Sequence, residues 1–357
     1  MKDTFKTASF LSGRAAMGLN PSVSYGATRL RRIVNPAFVP TVFAFQGSIS
    51  GYTSGGLAGP SQNIVSNVIE KFPFASNANS SDVGDLSQAR IFVVGQKGIS
   101  NGYTSGGYAP PPATPTLGTL NTIDKFPFAS NANATDVGDL TQKRTQSASQ
   151  SSTTSGYTCG GDSTSNVIDK FPTGSDANAT DVGDLSQGRS TVGGGQSSAD
   201  NGYTTGGDAP PGSPIYSNVI DKFPFASDAN ATDVGDLSQR RIQVAGHSST
   251  TAGYTGGGFY TTSPPLRTTG TLDKFPFATN ANASLIGALS QSRRNGAGQS
   301  STTSGYTSGG LFRGAVPPTL NTFPTNTIDK FPFATDASAS DVGDLIAVVY
   351  SAAGQQS

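Results

Sequence analysis

The chain has 357 residues, with 23 basic and 23 acidic side chains and a formal net charge of zero. That balance offers no long-range attraction to nucleic acid or to an anionic membrane. Charged residues make up only 13% and Gly numbers 45, so solubility falls to Ser, Thr, Asn and Gln, a surface suited to a component held by packing in a larger particle.

Residues 1–39 come first and stand outside any pattern. They carry Arg14, Arg29, Arg31 and Arg32 among Phe5, Phe10, Leu11, Met17, Leu19 and Tyr25, with little acid beyond Asp3. Four arginines supply a small electrostatic term, which argues against nucleic acid as the partner. Sticky residues with no core of their own predict an extended N-terminal arm that docks on neighbouring assembly proteins. The opening MKDTFKTASFLSG lacks the apolar core of a signal peptide, and no apolar run reaches membrane length, so membrane insertion is not expected.

From residue 40 to residue 357 the sequence repeats, and this stretch is expected to form one domain. Lys-Phe-Pro-Phe or a near copy recurs at Lys71, Lys125, Lys170, Lys222, Lys274 and Lys330. A Gly-Tyr-Thr motif precedes each copy, beginning at Gly51, Gly102, Gly156, Gly202, Gly253 and Gly305, at separations of 20, 23, 14, 20, 21 and 25 residues. After each lysine the distance is fixed: 19 residues lead to Arg90, Arg144, Arg189, Arg241 and Arg293, with Val349 at the sixth place. All length variation therefore falls between the Gly-Gly pair and the Ile-Asp-Lys-Phe segment. In a cyclic array those six segments would share one face.

Within a unit the apolar runs are short, β-branched and punctuated by Gly, Pro and Asn, which predicts strands and no helix. Four are expected: one after the arginine (IFVVG, 91–95), one on GYTSGG (51–56), one on NVIEKFPF (67–74) and one on the ATDVGDL pattern. In the third, Ile220 and Lys222 should face one way and Asp221 and Phe223 the other. A four-stranded antiparallel unit of about fifty residues has the size of a propeller blade. The predicted fold is thus all-β: a six-bladed β-propeller of four-stranded antiparallel blades. Both PTVFAFQGSI (40–49) and YSAAGQQS (350–357) occupy first-strand positions, so a terminal strand is expected to close the ring.

The order of features resembles the kelch family. Arg90 precedes a strand, Gly106 and Gly107 end the next, Asp124 and Phe126 form an acidic-aromatic step, and Arg144 follows a short polar strand. Asp-Lys-Phe stands where that family has Tyr-Asp, and the chain has no tryptophan. In repeat style the copies also look like propeller-type virion structural proteins of marine bacteriophages. These resemblances imply a kelch-like propeller in a virion.

Several residues invite chemistry. Arg90, Arg144, Arg189, Arg241 and Arg293 are expected to stabilise the units by buried pairing with the third-strand acids Asp124, Asp169, Asp221, Asp273 and Asp329, an arginine-specific role; a ligand-facing ring is the alternative. The recurrent Asp82/Asp85, Asp136/Asp139, Asp181/Asp184, Asp233/Asp236 and Asp341/Asp344 could gather calcium, but no EF-hand glycine or closing glutamate accompanies them, which favours turn capping. The Asn-x-Ser/Thr triplets at Asn79, Asn133, Asn178, Asn230 and Asn282 read as repeated polar turns. Cys159 is the only cysteine and sits at a small-residue site. His247 is the only histidine, near places held by Gln46, Lys97, Gln150, Gln196, Gln299 and Gln355. It has no nucleophile elbow or metal-ligand spacing around it, and the copper-ligating histidines of kelch-like oxidases have no counterparts. The glycines at 193–195 lack the lysine of a phosphate loop. No enzyme activity and no cofactor are expected.

The expected function is therefore a non-enzymatic structural or adhesive component of a virion, in a tail, fibre or capsid-surface assembly. Its variable face, carrying Tyr108, Tyr216, Phe259, Tyr260 and Phe312, would meet a surface receptor or glycan. The alternatives are a soluble kelch-like protein-interaction adaptor and a carbohydrate-binding module in which these aromatics converge on a sugar-sized pocket.

Overall fold

The computed structural model describes residues 45–59, 64–109, 118–191, 194–208, 216–260, 267–313 and 322–357. The N-terminal arm residues Phe5, Phe10, Arg14, Arg29, Arg31 and Arg32 lie outside the described residues, as do the centres of most variable segments.

Each fifty-residue unit supplies strands to one four-stranded antiparallel sheet. The fourth sheet is representative: Gly194–Ser197, Asn201–Thr205, Val219–Pro224 and Thr232–Asp236 pair in chain order. The same order holds from Ala148–Ser151 to Thr180–Asp184 (third sheet), from Ala245–Ser248 to Ser284–Ala288 (fifth), from Ala297–Ser300 to Ser340–Asp344 (sixth) and from Val94–Lys97 to Thr135–Asp139 (second). The first sheet takes its first strand from the other end of the chain: Ala353–Gln356 pairs with Ser50–Ser54, followed by Val68–Pro73 and Ser81–Asp85. Residues 45–49 form no strand there; Gly47 N donates to Ser300 O.

The expectation of a kelch-like, six-bladed β-propeller with one sheet per unit needs correction. Among the described residues the strands segregate into ten separate antiparallel sheets of two, three or four strands, and no sheet closes on itself into a barrel or a propeller. The physical reason lies at the Gly-Gly pair. Gly206 and Gly207 have φ of 67° and 108°, a left-handed backbone that L side chains avoid, and they break the second strand away from its sheet. Beyond the break the chain forms short ribbons of its own: Leu57–Ala58 with Ile64–Val65, Tyr108–Ala109 with Gly118–Thr119, Phe259–Tyr260 with Arg267–Thr268, and Leu311–Arg313 with Thr322–Pro324. The third unit, with the shortest connection, has a 3-10 turn at Asp162–Thr164 instead.

The core lies between sheets, one cluster per interface. Tyr203, Ile220 and Leu237 of the fourth sheet pack with Phe275 of the fifth. Equivalent clusters hold Tyr52, Ile69 and Leu86 with Phe126; Tyr103, Ile123 and Leu140 with Phe171; Tyr157, Ile168 and Leu185 with Phe223; Tyr254, Leu272 and Leu289 with Phe331; and Tyr306, Ile328 and Leu345 with Phe72. Since each sheet has a neighbour on both faces, Ile220 and Phe223 are both buried while pointing in opposite directions, as strand alternation requires. The first strands neighbour one another in order, and Ala353–Gln356 returns to Val94–Lys97. Their approach leaves no room for side chains: a Cβ on Gly195 would lie 2.0 Å from Ser149 O, and one on Gly246 2.2 Å from Gly195 O.

Polar side chains repeat this order. Gln150 Nε2 donates to Tyr203 O and Thr204 Oγ1 of the next sheet, Gln299 Nε2 to Tyr52 O, and Gln355 Nε2 to Tyr103 O. The residue equivalent to His247 in the second sheet is thus Gln96, which faces Tyr103 as His247 faces Tyr254, and not Lys97; in the first sheet it is Gln355 and not Gln46.

Candidate functional site

The five arginines are fully buried and each reaches into the following unit. Arg90–Asp124, Arg144–Asp169, Arg189–Asp221, Arg241–Asp273 and Arg293–Asp329 pair at 2.5 to 3.0 Å. The guanidinium groups also donate to backbone: Arg241 Nη1 to Gly257 O and Thr271 O, and Nη2 to Thr255 O. Burial pulls Arg90, Arg189, Arg241 and Arg293 below the usual guanidinium range, and their aspartates act against that fall. The aspartates also accept from the preceding unit, as when Ser87 N donates to Asp124 Oδ2. Both partners lie sealed between sheets, a geometry that joins units.

The polar outer strands have a similar task. Asp82, Asp136, Asp181, Asp233 and Asp341 each accept a hydrogen bond from the glycine amide two residues on. The triplet asparagines bridge units: Asn133 Oδ1 accepts from Asp85 N, and Asn79 Oδ1 from Asp344 N. Among the described residues no cluster of three or more His, Cys, Asp or Glu side chains could hold a metal ion.

A different set gathers where the first strands begin. Two residues after each arginine, and after Val349, stands a non-glycine residue with φ between 54° and 57°: Phe92, Gln146, Thr191, Gln243, Asn295 and Ser351. Left-handed backbone is uncommon for such residues, and strain of this kind concentrates at functional sites. Here it is held by a relay of backbone hydrogen bonds. Gln146 N donates to Phe92 O, Phe92 N to Ser351 O, Ser351 N to Asn295 O, Asn295 N to Gln243 O and Gln243 N to Thr191 O. These six residues line a cavity of about 90 Å³ together with Phe45 and the glycines of the first strands.

The ribbons flank this cavity through contacts with the residue after each arginine: Ile91 bridges Tyr108, Ser190 bridges Asp208, Ile242 bridges Phe259, and Arg293–Arg294 pairs with Leu311–Phe312. Arg294 stacks over the Phe259 ring at 4.6 Å and donates to Gln243 Oε1 at 2.8 Å. Tyr216 and Phe259 approach with ring centroids 6.5 Å apart. Burial lowers Arg294 and raises Tyr216 and Tyr350.

Of the five aromatics singled out in the sequence, the structure brings Tyr216 and Phe259 together. Tyr108 sits at the start of its own ribbon, Tyr260 pairs across from Arg267, and Phe312 stacks with Phe323 at 5.6 Å. The cavity at the first strands is lined by none of the five. The left-handed set escaped sequence reading, although a signal exists: the second position after the arginine is Phe, Gln, Thr, Gln, Asn or Ser in a repeat whose buried positions barely change.

No family model and no curated protein matches the chain. The kelch resemblance is corrected on the structure, whose sheets stay separate and unclosed among the described residues. The likeness to bacteriophage propeller proteins, and with it the placement in a virion or tail fibre, is withdrawn, because the ten unclosed sheets do not supply the fold on which it rested.

Proposed function

We propose that this protein is a non-enzymatic structural or adhesive component of a larger assembly, which meets its partner through the cavity end of the sheets. One observation carries the reading. Sequence and length vary between units at that end, in the ribbons and in the six left-handed residues, while the buried seams repeat. A frame of this kind holds the ribbons and the six left-handed residues in fixed relation before contact, which lowers the entropic cost of binding. Arg294, Phe259 and Tyr216 supply the arginine and aromatic groups that dominate protein interfaces.

The test is recovery of the protein from its native source with gentle cross-linking. A structural component comes out at fixed stoichiometry with its assembly, and its cross-links fall on residues at the cavity end. Cross-links confined to the outer strands near Asp82, Asp136 and Asp233 would defeat the reading. Recovery as a monomer with a transient client through the same residues supports the adaptor alternative, which the arginine-aromatic cluster also favours.

A further inference from the structure

Five of the six seams between units are closed by an arginine, and the sixth is not. Its arginine position is Val349 and its acid position is Glu70, in the seam between the sixth and first sheets. The backbone around Val349 matches the other seams: Gly310 N donates to Val349 O as Gly56 N donates to Arg90 O, and Val349 N reaches Thr325 O as Arg90 N reaches Ser66 O.

The receiving groups of the arginine are all present. In the seam between the fourth and fifth sheets, Arg241 is held by Thr255 O, Gly257 O, Thr271 O and Asp273. The same register places in the first unit are Thr53, Gly55, Val68 and Glu70. These four residues line one cavity of about 290 Å³, with Ser66, Asp82 and Val349 also in its wall. Asp82 corresponds to Asp136, Asp233 and Asp341, whose charges act on Arg90, Arg189 and Arg293. The cavity wall thus carries two carboxylates and no basic side chain.

Glu70 is only 6% exposed. One of its oxygens, Oε2, accepts from Ser80 Oγ and from Ile346 N at 2.8 Å, the second repeating the bond from Ser87 N to Asp124. Burial raises its pKa, the mark of a carboxylate kept from water without a cation to offset the cost.

We propose that this cavity is a binding site for a guanidinium group, supplied in trans, that takes the place of the missing arginine. The guanidinium would direct its donors at Thr53 O, Gly55 O, Val68 O and the Glu70 carboxylate, the full set that Arg241 uses in its own seam and that the other four arginines share in part, each with its aspartate. A planar fork satisfies several acceptors at once, which an ammonium cannot do. Two sources share this chemistry: a free small guanidinium compound and an arginine side chain of a partner protein. The inference is independent of the cavity at the strand starts.

The experiment uses the full chain and titrates methylguanidinium, at concentrations far below denaturing, by calorimetry and thermal shift. Saturable binding with a one-to-one stoichiometry and a raised Tm is expected, with methylammonium at least about tenfold weaker. Val349→Arg should raise Tm by itself and abolish the binding, because it fills the site from within. Glu70→Gln should weaken binding at least about tenfold and leave the fold intact, since glutamine keeps the acceptor for Ile346 N. Competition by the tripeptide Gly-Arg-Gly assigns the site to a protein arginine, and its failure to compete assigns it to a small guanidinium. Absence of saturable binding to the parent chain, equal binding of methylammonium, or undiminished binding to Glu70→Gln would overturn the proposal.

Discussion

The seams between sheets and the ends of the same sheets follow opposite rules. In a seam, Tyr203, Ile220, Leu237 and Phe275 recur almost unchanged around the molecule, with Leu272 the one aliphatic exchange at the Ile220 position. At the cavity end, Phe92, Gln146, Thr191, Gln243, Asn295 and Ser351 share a backbone conformation and little else. The difference shows what keeps internal copies alike. A seam residue must fit a groove made by the next copy, so a change in one unit strains two, whereas a residue facing the cavity answers only to its own backbone and to whatever it meets.

The sharpest way to break the comparison is to remove one charge from a seam. Asp221→Ala leaves Arg189 fully buried without its carboxylate and should cost about 3–5 kcal/mol, read from the urea midpoint. Adding Arg189→Met in the same chain should restore much of that loss, because no charge then remains buried. A single-variant loss under about 1 kcal/mol would mean that the pair contributes nothing to joining the units.

The next effect is a pH dependence in the seam that carries His247. Its ring is fully buried, with Nδ1 3.2 Å from Gln299 O and Nε2 3.2 Å from Thr307 Oγ1, and burial pushes it from 6.5 down to about 4. The folded state therefore resists a proton that the unfolded state takes up. The contribution is complete above pH 6.5 and is lost as pH falls from there to about 4, on the order of 3 kcal/mol in total. His247→Gln installs the residue of the neighbouring seams and should flatten this part of the stability profile. Identical profiles for the two proteins would show that the imidazole does not titrate between the two states.

The sequence made the seams legible because packing against a repeat leaves a repeat. The fixed 19-residue spacing marks the constant part of every unit, and arginine facing a third-strand acid required only that both be inaccessible. The ribbons were not legible, because their short strands exist by pairing with Ile91, Ser190 or Ile242 of a distant segment and carry no alternation of their own. The side-chain register at His247 was misjudged by one residue in the second unit, where Gln96 and Lys97 adjoin and only the pairing with Tyr103 decides between them. The empty sixth seam was half visible: Val349 stood out, but Glu70 gains meaning only when the last unit meets the first.

A smaller effect tests the close approach of the first strands. Gly195→Ala puts a Cβ 2.0 Å from Ser149 O, so backbone must shift, at about 1–3 kcal/mol. Ser149 itself occupies the equivalent place in the third sheet and donates from Oγ to Gly95 O at 2.8 Å. Gly195→Ser should accordingly lose less than Gly195→Ala, since its hydroxyl can donate to Ser149 O, and equal losses would show that sterics alone govern the contact.

The smallest effect has the opposite sign and addresses the cavity end directly. Ser351 has φ of 56° and a buried hydroxyl with no hydrogen-bond partner. Neither feature helps the fold: the left-handed backbone of an L residue costs about 1–2 kcal/mol, and a buried hydroxyl left alone adds to that. Glycine removes both at the expense of some unfolded-state entropy, so Ser351→Gly should raise stability by about 0.5–1 kcal/mol while keeping the amide that donates to Asn295 O. A seam residue such as Ile220 offers no such gain, because its side chain is fully buried against the next sheet and truncation there would open a cavity. If the six residues are retained for contact with a partner, the same substitution should weaken that contact as it strengthens the fold. Stabilisation with unchanged partner affinity would place the recognition elsewhere, on the ribbons alone.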